Sequence, residues 1–513
     1  MSVLGLDIGT SGCKAVVIDE RGNIKARAHR EYNSIVPSPG WIELNADSLW
    51  NAVQETIHEV TDKYSTSPIL AMCMSTMGDS FVPVDIDGEA LGNFILASDG
   101  RSKNEALLLE REIGAEKIFR ITGMPPHPIN TITKIVWLKN HMPEIFSRAA
   151  KFLCAEEFVI SKLGLHPVTS YSNACRTMAF NFTELDWSQE ILEVAGIGKN
   201  HLPDVQPSSE KVGIIPRSIG TRLGLGGGVK VISGGMDQAC GTLGSYSICN
   251  GCVQDSMGTV EAISITLDRT ILNEELSKKL FAGCYSINMH VVPERYLIMA
   301  LVLNAGSILT WFKDTIIHED DLRAAKGGMN VFDALLSKAP PSPTHLLLLP
   351  YFTGSGTPDM NPLAKGLIMG LDLGTRKEDI LKAILQGITY EVALNVDWFG
   401  KNGIPIEELR CVGGGSSSRF WLQMKADLLG KPVKKMVEKE AAVLGAAILA
   451  GVGEGIWNSS VEASMCIVKE EKIYTPKQEF RDFYRTQKVL YQKLVTRIQD
   501  LYPDLDSLIQ RMK

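Results

Sequence analysis

Residues 4–23, LGLDIGTSGCKAVVIDERGN, decide the fold because two apolar runs flank a turn of small residues. Their pattern predicts two β-strands joined by the turn GTSG. Glycines such as Gly9 tolerate positive φ, so the turn can direct several backbone N–H groups into one concavity. With the hydroxyls of Thr10 and Ser11 and the ammonium of Lys14 at its mouth, this concavity suits a phosphate group.

Asp7 is the one charged residue on the first predicted strand, two positions before the turn. An anion beside a phosphate group is repelled unless a divalent cation lies between them. Asp7 is therefore a candidate to hold Mg²⁺ through water. An ordinary hairpin, with the carboxylate capping its turn, accounts for the same residues equally well.

Length and composition restrict the class of protein. A chain of 513 residues is too long for one hydrophobic core, which predicts two large domains. A content of 45% hydrophobic and 22% charged residues is typical of a globular protein, and the net charge of −7 argues against a nucleic-acid or membrane partner. The N-terminus enters a strand rather than a secretory signal, and no apolar run is long enough to span a membrane. We therefore expect a cytoplasmic protein.

The ten cysteines are scattered singly except for Cys249 and Cys252 in CNGC. A structural zinc would need two more ligands at matching spacing, which the neighbouring sequence lacks. A turn between two strands is the favoured interpretation of CNGC, and a redox pair is the alternative. The other cysteines are typical of small buried residues in a reducing compartment.

Polar residues interrupt the apolar pattern at three further places. Met77 and Asp79 stand at the predicted mouth of a sheet, where ligands tend to bind. Asp99 and Arg101 can each hydrogen-bond a polyhydroxylated ligand, although an ion pair between them or a cap on the following helix explains them as well. Asp237 follows a strand and a double glycine at the start of a predicted helix, where it can accept a proton from a substrate hydroxyl. An N-capping aspartate is the alternative.

The second half of the chain repeats features of the first. Gly258 and Thr259 form another Gly-Thr turn between strands, which suggests a duplicated domain gripping one polyphosphate from both sides. Residues 413–418, GGGSSS, follow a strand and let a flat ligand such as adenine approach the backbone. This sequence is neither a dinucleotide fingerprint nor a P-loop. Residues 375–399 predict a long amphipathic helix, residues 441–451 a tightly packed small-residue helix, and the tail from about residue 472 a peripheral helix.

In this order, the DIGTS hairpin, the GGxDQ turn, the second Gly-Thr hairpin and the GGGSxS turn resemble the FGGY carbohydrate kinases. The resemblance implies an α/β fold of two actin-like (ribonuclease H-like) domains flanking a nucleotide cleft. It also implies ATP-dependent, Mg²⁺-assisted phosphorylation of a small sugar, either a pentulose such as xylulose or a related polyol or aldonate. We expect a sugar-binding domain over residues 1–245, a nucleotide-binding domain over 246–455, and a helical tail over 456–513 that packs on the second domain.

The resemblance also implies roles for individual residues. Asp237 would be the general base, and Asp7 would lie next to Mg²⁺ through water. The sugar would contact Asp99, Arg101 and Asp237. Met77 and Asp79 are further candidates for sugar contact because of their position at the predicted mouth of a sheet. ATP would contact Asp7 and the residues of three turns together with one lysine: Gly9, Thr10, Ser11, Lys14, Gly258, Thr259, Gly413, Gly414, Gly415 and Ser416.

The chain departs from the family where substrates are distinguished. Xylulose kinases usually carry Met-His-Gly and glycerol kinases Arg-Glu-Thr where this chain has Met77, Gly78 and Asp79, and Ala97 replaces a common tryptophan. We hypothesise that Asp79 reaches a substrate hydroxyl in compensation. A nucleotide-driven switch like actin or the heat-shock chaperones, or a weakly catalytic sugar sensor, stays open as an alternative, as does a homodimer.

Overall fold

The computed structural model describes residues 1–319 and 330–512. Its strands are β1 Ser2–Ile8, β2 Gly12–Asp19, β3 Ile24–Glu31, β4 Glu43–Leu44, β5 Ile69–Thr76, β6 Phe81–Val84, β7 Phe94–Ile95, β8 Lys151–Cys154, β9 Val168–Ser170, β10 Phe180–Asn181, β11 Asp186–Trp187, β12 Asp204–Gln206, β13 Lys211–Ile214, β14 Lys230–Met236, β15 Cys252–Met257, β16 Glu261–Asp268, β17 Ser286–Met289, β18 Arg295–Val302, β19 Leu347–Leu349, β20 Leu367–Met369, β21 Glu408–Val412, β22 Val433–Met436 and β23 Glu470–Tyr474.

The helices of the described residues cover both faces of the larger sheets. They are α1 Ala46–Lys63, α2 Lys103–Ile113, α3 Ala115–Thr122, α4 Thr131–His141, α5 Pro143–Arg148, α6 Ala155–Lys162, α7 Tyr171–Arg176, α8 Gln189–Ala195, α9 Arg217–Arg222, α10 Asp237–Gly244, α11 Glu274–Ala282, α12 Gly306–Ile316, α13 Val331–Leu336, α14 Lys377–Lys401, α15 Arg419–Leu429, α16 Ala441–Glu454, α17 Ser460–Ile467, α18 Arg481–Ile498 and α19 Leu501–Met512. Short 3₁₀ turns lie at Lys199–His201, Arg269–Ile271, Gly414–Ser417 and Gln478–Phe480. None of these helices combines the length and apolar character that a membrane span requires.

Two large mixed sheets organise the described part of the chain. The first has six strands in the order β13-β14-β5-β1-β2-β3, and the second has seven in the order β17-β18-β16-β15-β21-β22-β23. In the first sheet β1 pairs antiparallel with β2 and parallel with β5. The predicted α/β architecture of two sheet-based halves is therefore confirmed.

The opening hairpin has the predicted strands, but its turn differs in detail. Asp7 faces Lys14 in the β1–β2 register, and β3 continues the meander. Neither Gly9 nor Gly12 is among the glycines with positive φ, so the expected use of that freedom is wrong. Gly12 is required for space instead, because a Cβ there would lie 2.6 Å from the carbonyl oxygen of Arg30.

Two helices join the halves along a close crossing. A Cβ on Gly244 of α10 would lie 1.9 Å from the carbonyl oxygen of Ala441, and a Cβ on Gly445 of α16 would lie 1.9 Å from that of Cys240. The predicted tight packing of residues 441–451 is confirmed. Because α16 also packs on β1, where a Cβ on Gly5 would lie 2.4 Å from the carbonyl oxygen of Val443, both halves hold the centre of the first sheet.

Two predictions about connecting segments need correction. Cys249 and Cys252 form a disulfide in a turn that joins helix α10 to strand β15, rather than a turn between two strands. The tail is not wholly helical, because β23 adds a strand to the edge of the second sheet before α18 begins. The predicted long helix is confirmed as α14, with acidic residues in its first turn.

Candidate active site

Asp237 begins α10 directly after β14, at the end of the first sheet. Its side chain is partly exposed, and its Oδ1 accepts a hydrogen bond of 2.6 Å from the N–H of Gln238. The surrounding protein excludes water from the carboxylate, and this desolvation raises the pKa of Asp237 to about 7, with a smaller contribution from the negative charge of Asp7. A carboxyl group that titrates near neutrality can accept a proton from an alcohol.

Asp7 lies on β1, and the Oγ of Ser75 on neighbouring β5 donates to its Oδ1 at 2.8 Å. Burial raises the pKa of Asp7, while the nearby charge of Lys14 and this hydrogen bond oppose the increase. Lys14 itself forms an ion pair with Glu440, immediately before α16. The predicted phosphate-binding lysine is therefore engaged by the second half of the chain.

The turn that follows Asp7 presents polar groups outward. The N–H of Gly9 donates to the carbonyl oxygen of Gly12 at 3.0 Å, which closes the turn. The side chains of Thr10 and Ser11 are exposed, and among the described residues neither hydroxyl is bonded to another protein group. These hydroxyls are free to meet an anion.

The second Gly-Thr turn and two residues of the triple glycine, Gly414 and Gly415, line one cleft of about 430 Å³. The carbonyl oxygen of Gly258 accepts from the N–H of Gly306 at 3.0 Å, at the start of α12. A Cβ on Gly415 would lie 2.8 Å from the Cβ of Met257, so only glycine fits there. The wall of the cleft combines glycines, polar residues and large apolar side chains: Met257, Gly258, Thr259, Gly306, Leu309, Thr310, Lys313, Asn330, Phe332, Leu385, Gly414, Gly415, Ser418 and Trp421.

Two predicted contacts of this cleft serve the shape of the turn. Gly413 has a φ of 80°, and the Oγ of buried Ser416 donates back to its carbonyl oxygen at 2.7 Å. The N–H of Gly413 donates to the carbonyl oxygen of Lys439 at 3.1 Å. The segment that carries Glu440 therefore links the triple-glycine turn to the Lys14 hairpin.

Asp79 is buried at a positive φ of 64° beside an arginine that the sequence did not single out. Arg176 donates through Nε at 3.0 Å and Nη2 at 2.9 Å to its Oδ2. Oδ1 is buried without a hydrogen-bond partner in the described structure. A Cβ on Gly78 would lie 2.8 Å from Cγ of Arg176, so the arginine occupies the space that a larger side chain at position 78 would need.

Arg176 also reaches the second half of the chain. Its Nη1 donates to Oδ1 of Asn288 at 3.4 Å and to the sulfur of Met124 at 3.5 Å. Lys134 is fully buried and donates to the carbonyl oxygens of Asp79 and Ile129 at 3.0 and 2.6 Å. Burial lowers the pKa of Lys134 to about 8.

Asp99 and Arg101 are paired with each other rather than directed into an open cleft. Arg101 donates to Asp99 through Nε at 2.8 Å and Nη2 at 2.7 Å, and its guanidinium stacks on Trp41 at 4.0 Å and Trp137 at 4.9 Å. Asp99 also accepts the N–H of Ile42 at 2.6 Å. The ion-pair alternative matches this geometry, and contact of either residue with a sugar stays a prediction.

The donor set around Asp7 suits a hard divalent cation. The described residues contain no cluster of three or more histidine, cysteine or acidic side chains that could hold a metal alone. Mg²⁺ commonly binds through one or two carboxylates, with waters and substrate phosphates completing its shell. Asp7, which interacts electrostatically with Asp237, fits that requirement.

Met77 is buried, and its N–H donates to the carbonyl oxygen of Ile8 at 2.8 Å. This bond fixes the end of β5 beside the phosphate turn.

Neither Arg176 nor Glu440 was a sequence-based candidate. Each contacts a residue far away in the chain. Helix α7, which carries Arg176, packs on β14, and β14 pairs with β5 just before Asp79; Glu440 directly precedes α16, which packs on β1 beside the Lys14 hairpin.

Comparison with known proteins covers nearly the whole chain. Residues 2–244 match the model of the FGGY family of carbohydrate kinases, N-terminal domain, and residues 256–454 match that of the C-terminal domain. The chain is 30% identical to a glycerol kinase of Thermococcus kodakarensis, covering 93% of each, and 27% identical to a gluconokinase of Bacillus subtilis, covering 98% of this chain and 97% of the relative. It superposes on a ligand-bound xylulose kinase from Lactobacillus acidophilus with a TM-score of 0.88 and 26% identity, covering 98% and 99% of the two chains.

Proposed function

The chain belongs to the FGGY family of carbohydrate kinases, and we propose that Asp237 is the base with which it transfers the terminal phosphoryl group of ATP to a sugar hydroxyl. The observation that carries this assignment is the position of Asp237 at the start of α10, partly exposed, beside Asp7 and with a pKa raised to about 7. A base that titrates near the working pH can both accept and release the proton of an alcohol.

The remaining residues of the site support phosphoryl transfer mainly by position and charge. The free hydroxyls of Thr10 and Ser11, in the turn that Gly9 closes, would hold phosphate oxygens from one side, and Gly258 and Thr259 from the other. Asp7 would hold Mg²⁺ through water. The cation would neutralise charge on the phosphates when bound.

The cleft of about 430 Å³ would receive the nucleotide base and ribose, because glycine backbone and the ring of Trp421 line it. Gly413, Gly414, Gly415 and Ser416 would shape its floor. In the reaction the substrate oxygen forms a bond to phosphorus as its proton passes to Asp237, and the bond to the bridging oxygen of ADP breaks.

The sugar would bind between Asp237 and the pair formed by Asp79 and Arg176. Oδ1 of Asp79 lacks a protein donor, so it offers one acceptor to a substrate hydroxyl beside the Arg176 guanidinium. The relatives are named for xylulose, glycerol and gluconate. We propose a substrate among pentuloses, polyols and aldonates on this basis.

A coupled assay of ADP release over those three sugar classes tests the proposal. We expect ADP release that depends on one class and yields one phosphorylated sugar per ADP. Asp237→Asn should reduce that rate by about 10²–10⁴-fold, the usual contribution of a general base. ADP release that is independent of every sugar would instead indicate a nucleotide-driven switch, and sugar binding without ADP release would indicate a sensor.

A further inference from the structure

Glu156, near the start of α6, is a fully buried carboxylate that the proposed reaction does not use. The N–H of Gly234 donates to its Oε1 at 2.8 Å. Its Oε2 accepts from the N–H and the hydroxyl of Ser170 at 3.2 and 2.9 Å, and from Nδ2 of Asn173 at 2.6 Å. One carboxylate on α6 is therefore bonded to two other segments of the chain, the start of α7 and strand β14.

The contact with Gly234 falls at an irregularity in β14. The register between β14 and β5 shifts between Ile232 and Gly235, and Gly234 is paired with neither neighbouring strand. A Cβ on Gly234 would lie 1.7 Å from the carbonyl oxygen of Met74, so the backbone there follows one narrow path. A β-bulge redirects the side chains that follow it, and the bulge needs an acceptor for the N–H it leaves unpaired.

A second bond holds the next turn of the chain. The N–H of Met236, one residue before Asp237, donates to Oγ of Ser172 at 3.1 Å. Ser172 lies on α7, whose N-cap Ser170 is bound by Glu156. Asn173 on the same helix extends the network to Oγ1 of Thr76 at 2.9 Å, at the end of β5.

We propose that Glu156 is a positioning residue that aims Asp237 at the substrate by anchoring the Gly234 bulge and the start of α7. The proposal rests on the assignment of Asp237 as the base. Burying a carboxylate is costly unless its oxygens are fully hydrogen-bonded, and this one accepts four hydrogen bonds. Burial raises the pKa of Glu156, and those bonds oppose the increase.

Glu156→Gln tests the proposal with little change in shape. An amide has one acceptor oxygen, whereas the site presents donors at both carboxylate oxygens. Either Gly234 or the donors of α7 must then face an N–H₂ group. We expect kcat to fall about 10- to 100-fold, since displacement of a catalytic group by an ångström can have that effect. KM for ATP should stay unchanged, because the nucleotide cleft is lined by other segments.

Glu157→Gln is the matched control on the same helix. Burial and the charge of Glu156 raise the pKa of Glu157 to about 8, and its Oε2 lacks a hydrogen-bond partner in the described structure. The amide replaces a largely neutral carboxyl group, so kcat should stay within about twofold of the wild type. If both variants lose activity equally, any change to a buried carboxyl group on α6 reduces the rate, and the proposal is overturned.

A double-mutant cycle with Asp237→Asn separates positioning from general damage. If Glu156 acts through Asp237, Glu156→Gln should reduce the residual rate of Asp237→Asn by less than about threefold. An equal fold loss in both backgrounds overturns the inference. Full activity in Asp237→Asn alone would overturn the assignment of the base, whereas a loss there with an intact Glu156→Gln rate would overturn only the positioning role.

Ser172→Ala provides the test if Glu156→Gln does not fold. It removes the acceptor for the N–H of Met236 and a 3.4 Å contact with the hydroxyl of Ser170, and it leaves the four hydrogen bonds to Glu156 in place. We expect a decrease in kcat of about 3- to 10-fold with the melting temperature nearly unchanged, as is usual for the loss of one hydrogen bond. A wild-type kcat in this folded variant would count against the positioning role.

Discussion

The hairpin that turns after Asp7 and the hairpin that turns after Met257 each carry an aspartate on their first strand, Asp7 on β1 and Asp255 on β15. Asp255 is fully buried beside Lys425, which donates to its Oδ2 at 2.7 Å and also pairs with Glu261. Asp7 instead has a hydroxyl donor from Ser75. Lys14, which faces Asp7 across the hairpin, is paired with Glu440.

The difference in their partners suggests that Asp255 stabilises the fold, whereas Asp7 is available for the reaction. A carboxylate with its own buried cation is neutralised permanently and holds the fold, as Asp255 holds β15 to α15. A carboxylate that lacks such a partner can serve a cation that arrives with the substrate. The two hairpins therefore share a shape, while we assign metal chemistry to the first and only phosphate contacts to the second.

Lys425→Met should have the largest effect, and that effect is on the stability of the fold. Removing the ammonium leaves Asp255 and Glu261 buried without a counter-ion, and burial together with Asp255 already raises the pKa of Glu261. We expect the free energy of unfolding to fall by about 3–5 kcal/mol in urea denaturation. Lys279→Met, which removes an exposed pair with Glu275, is the control and should change it by less than about 0.5 kcal/mol. Equal losses would mean that the buried cluster is not a support.

Asp7→Asn should have the second largest effect, and that effect is on the rate of the reaction. The variant keeps an acceptor for Ser75 but loses the charge that would attract Mg²⁺. We expect kcat to fall about 10²–10³-fold, as for removal of one electrostatic contact to the transition state. Unfolding in urea should be almost unchanged. Wild-type kcat at saturating Mg²⁺ would refute the distinction between the two hairpins.

Glu440→Gln should have the smallest effect, because its ion pair with Lys14 is partly exposed, with side-chain exposures of 44% and 33%. The change releases Lys14 toward the phosphate turn. Such pairs are worth up to about 1 kcal/mol, so KM for ATP should decrease by no more than about fivefold. Glu471→Gln, which breaks a pair with Lys435 on the second sheet, should leave KM unchanged. An increased KM in Glu440→Gln would mean that the pair helps to build the site.

The sequence predicted features that depend on local pattern. The opening hairpin follows from its alternating apolar strands, and α14 follows from its periodicity and acidic first turn. These features depend on residues within a few positions of one another, where propensity and spacing are informative.

Features that depend on tertiary contacts could not be predicted. Arg176 meets Asp79 across 97 positions of sequence, and Lys14 meets Glu440 across 426. A lone arginine on a short helix carries no periodic or motif signal. Asp99 and Arg101 were candidates in the sequence, but their surroundings could not be predicted. Nothing in the loop sequence indicates that Trp41 and Trp137 lie against the guanidinium of Arg101.

The dependence of kcat on pH, measured for the wild type and Asp237→Asn from about pH 5 to about pH 9, tests the central claim most directly. The pKa of Asp237 is raised to about 7, and the carboxyl group must be ionised to accept a proton. The wild-type kcat should therefore rise with pH through an apparent pKa near 7 and then level off. Asp237→Asn should be about 10²–10⁴-fold slower and lack that rise. A variant that keeps the wild-type rate and the same pH profile would contradict the assignment of Asp237 as the base.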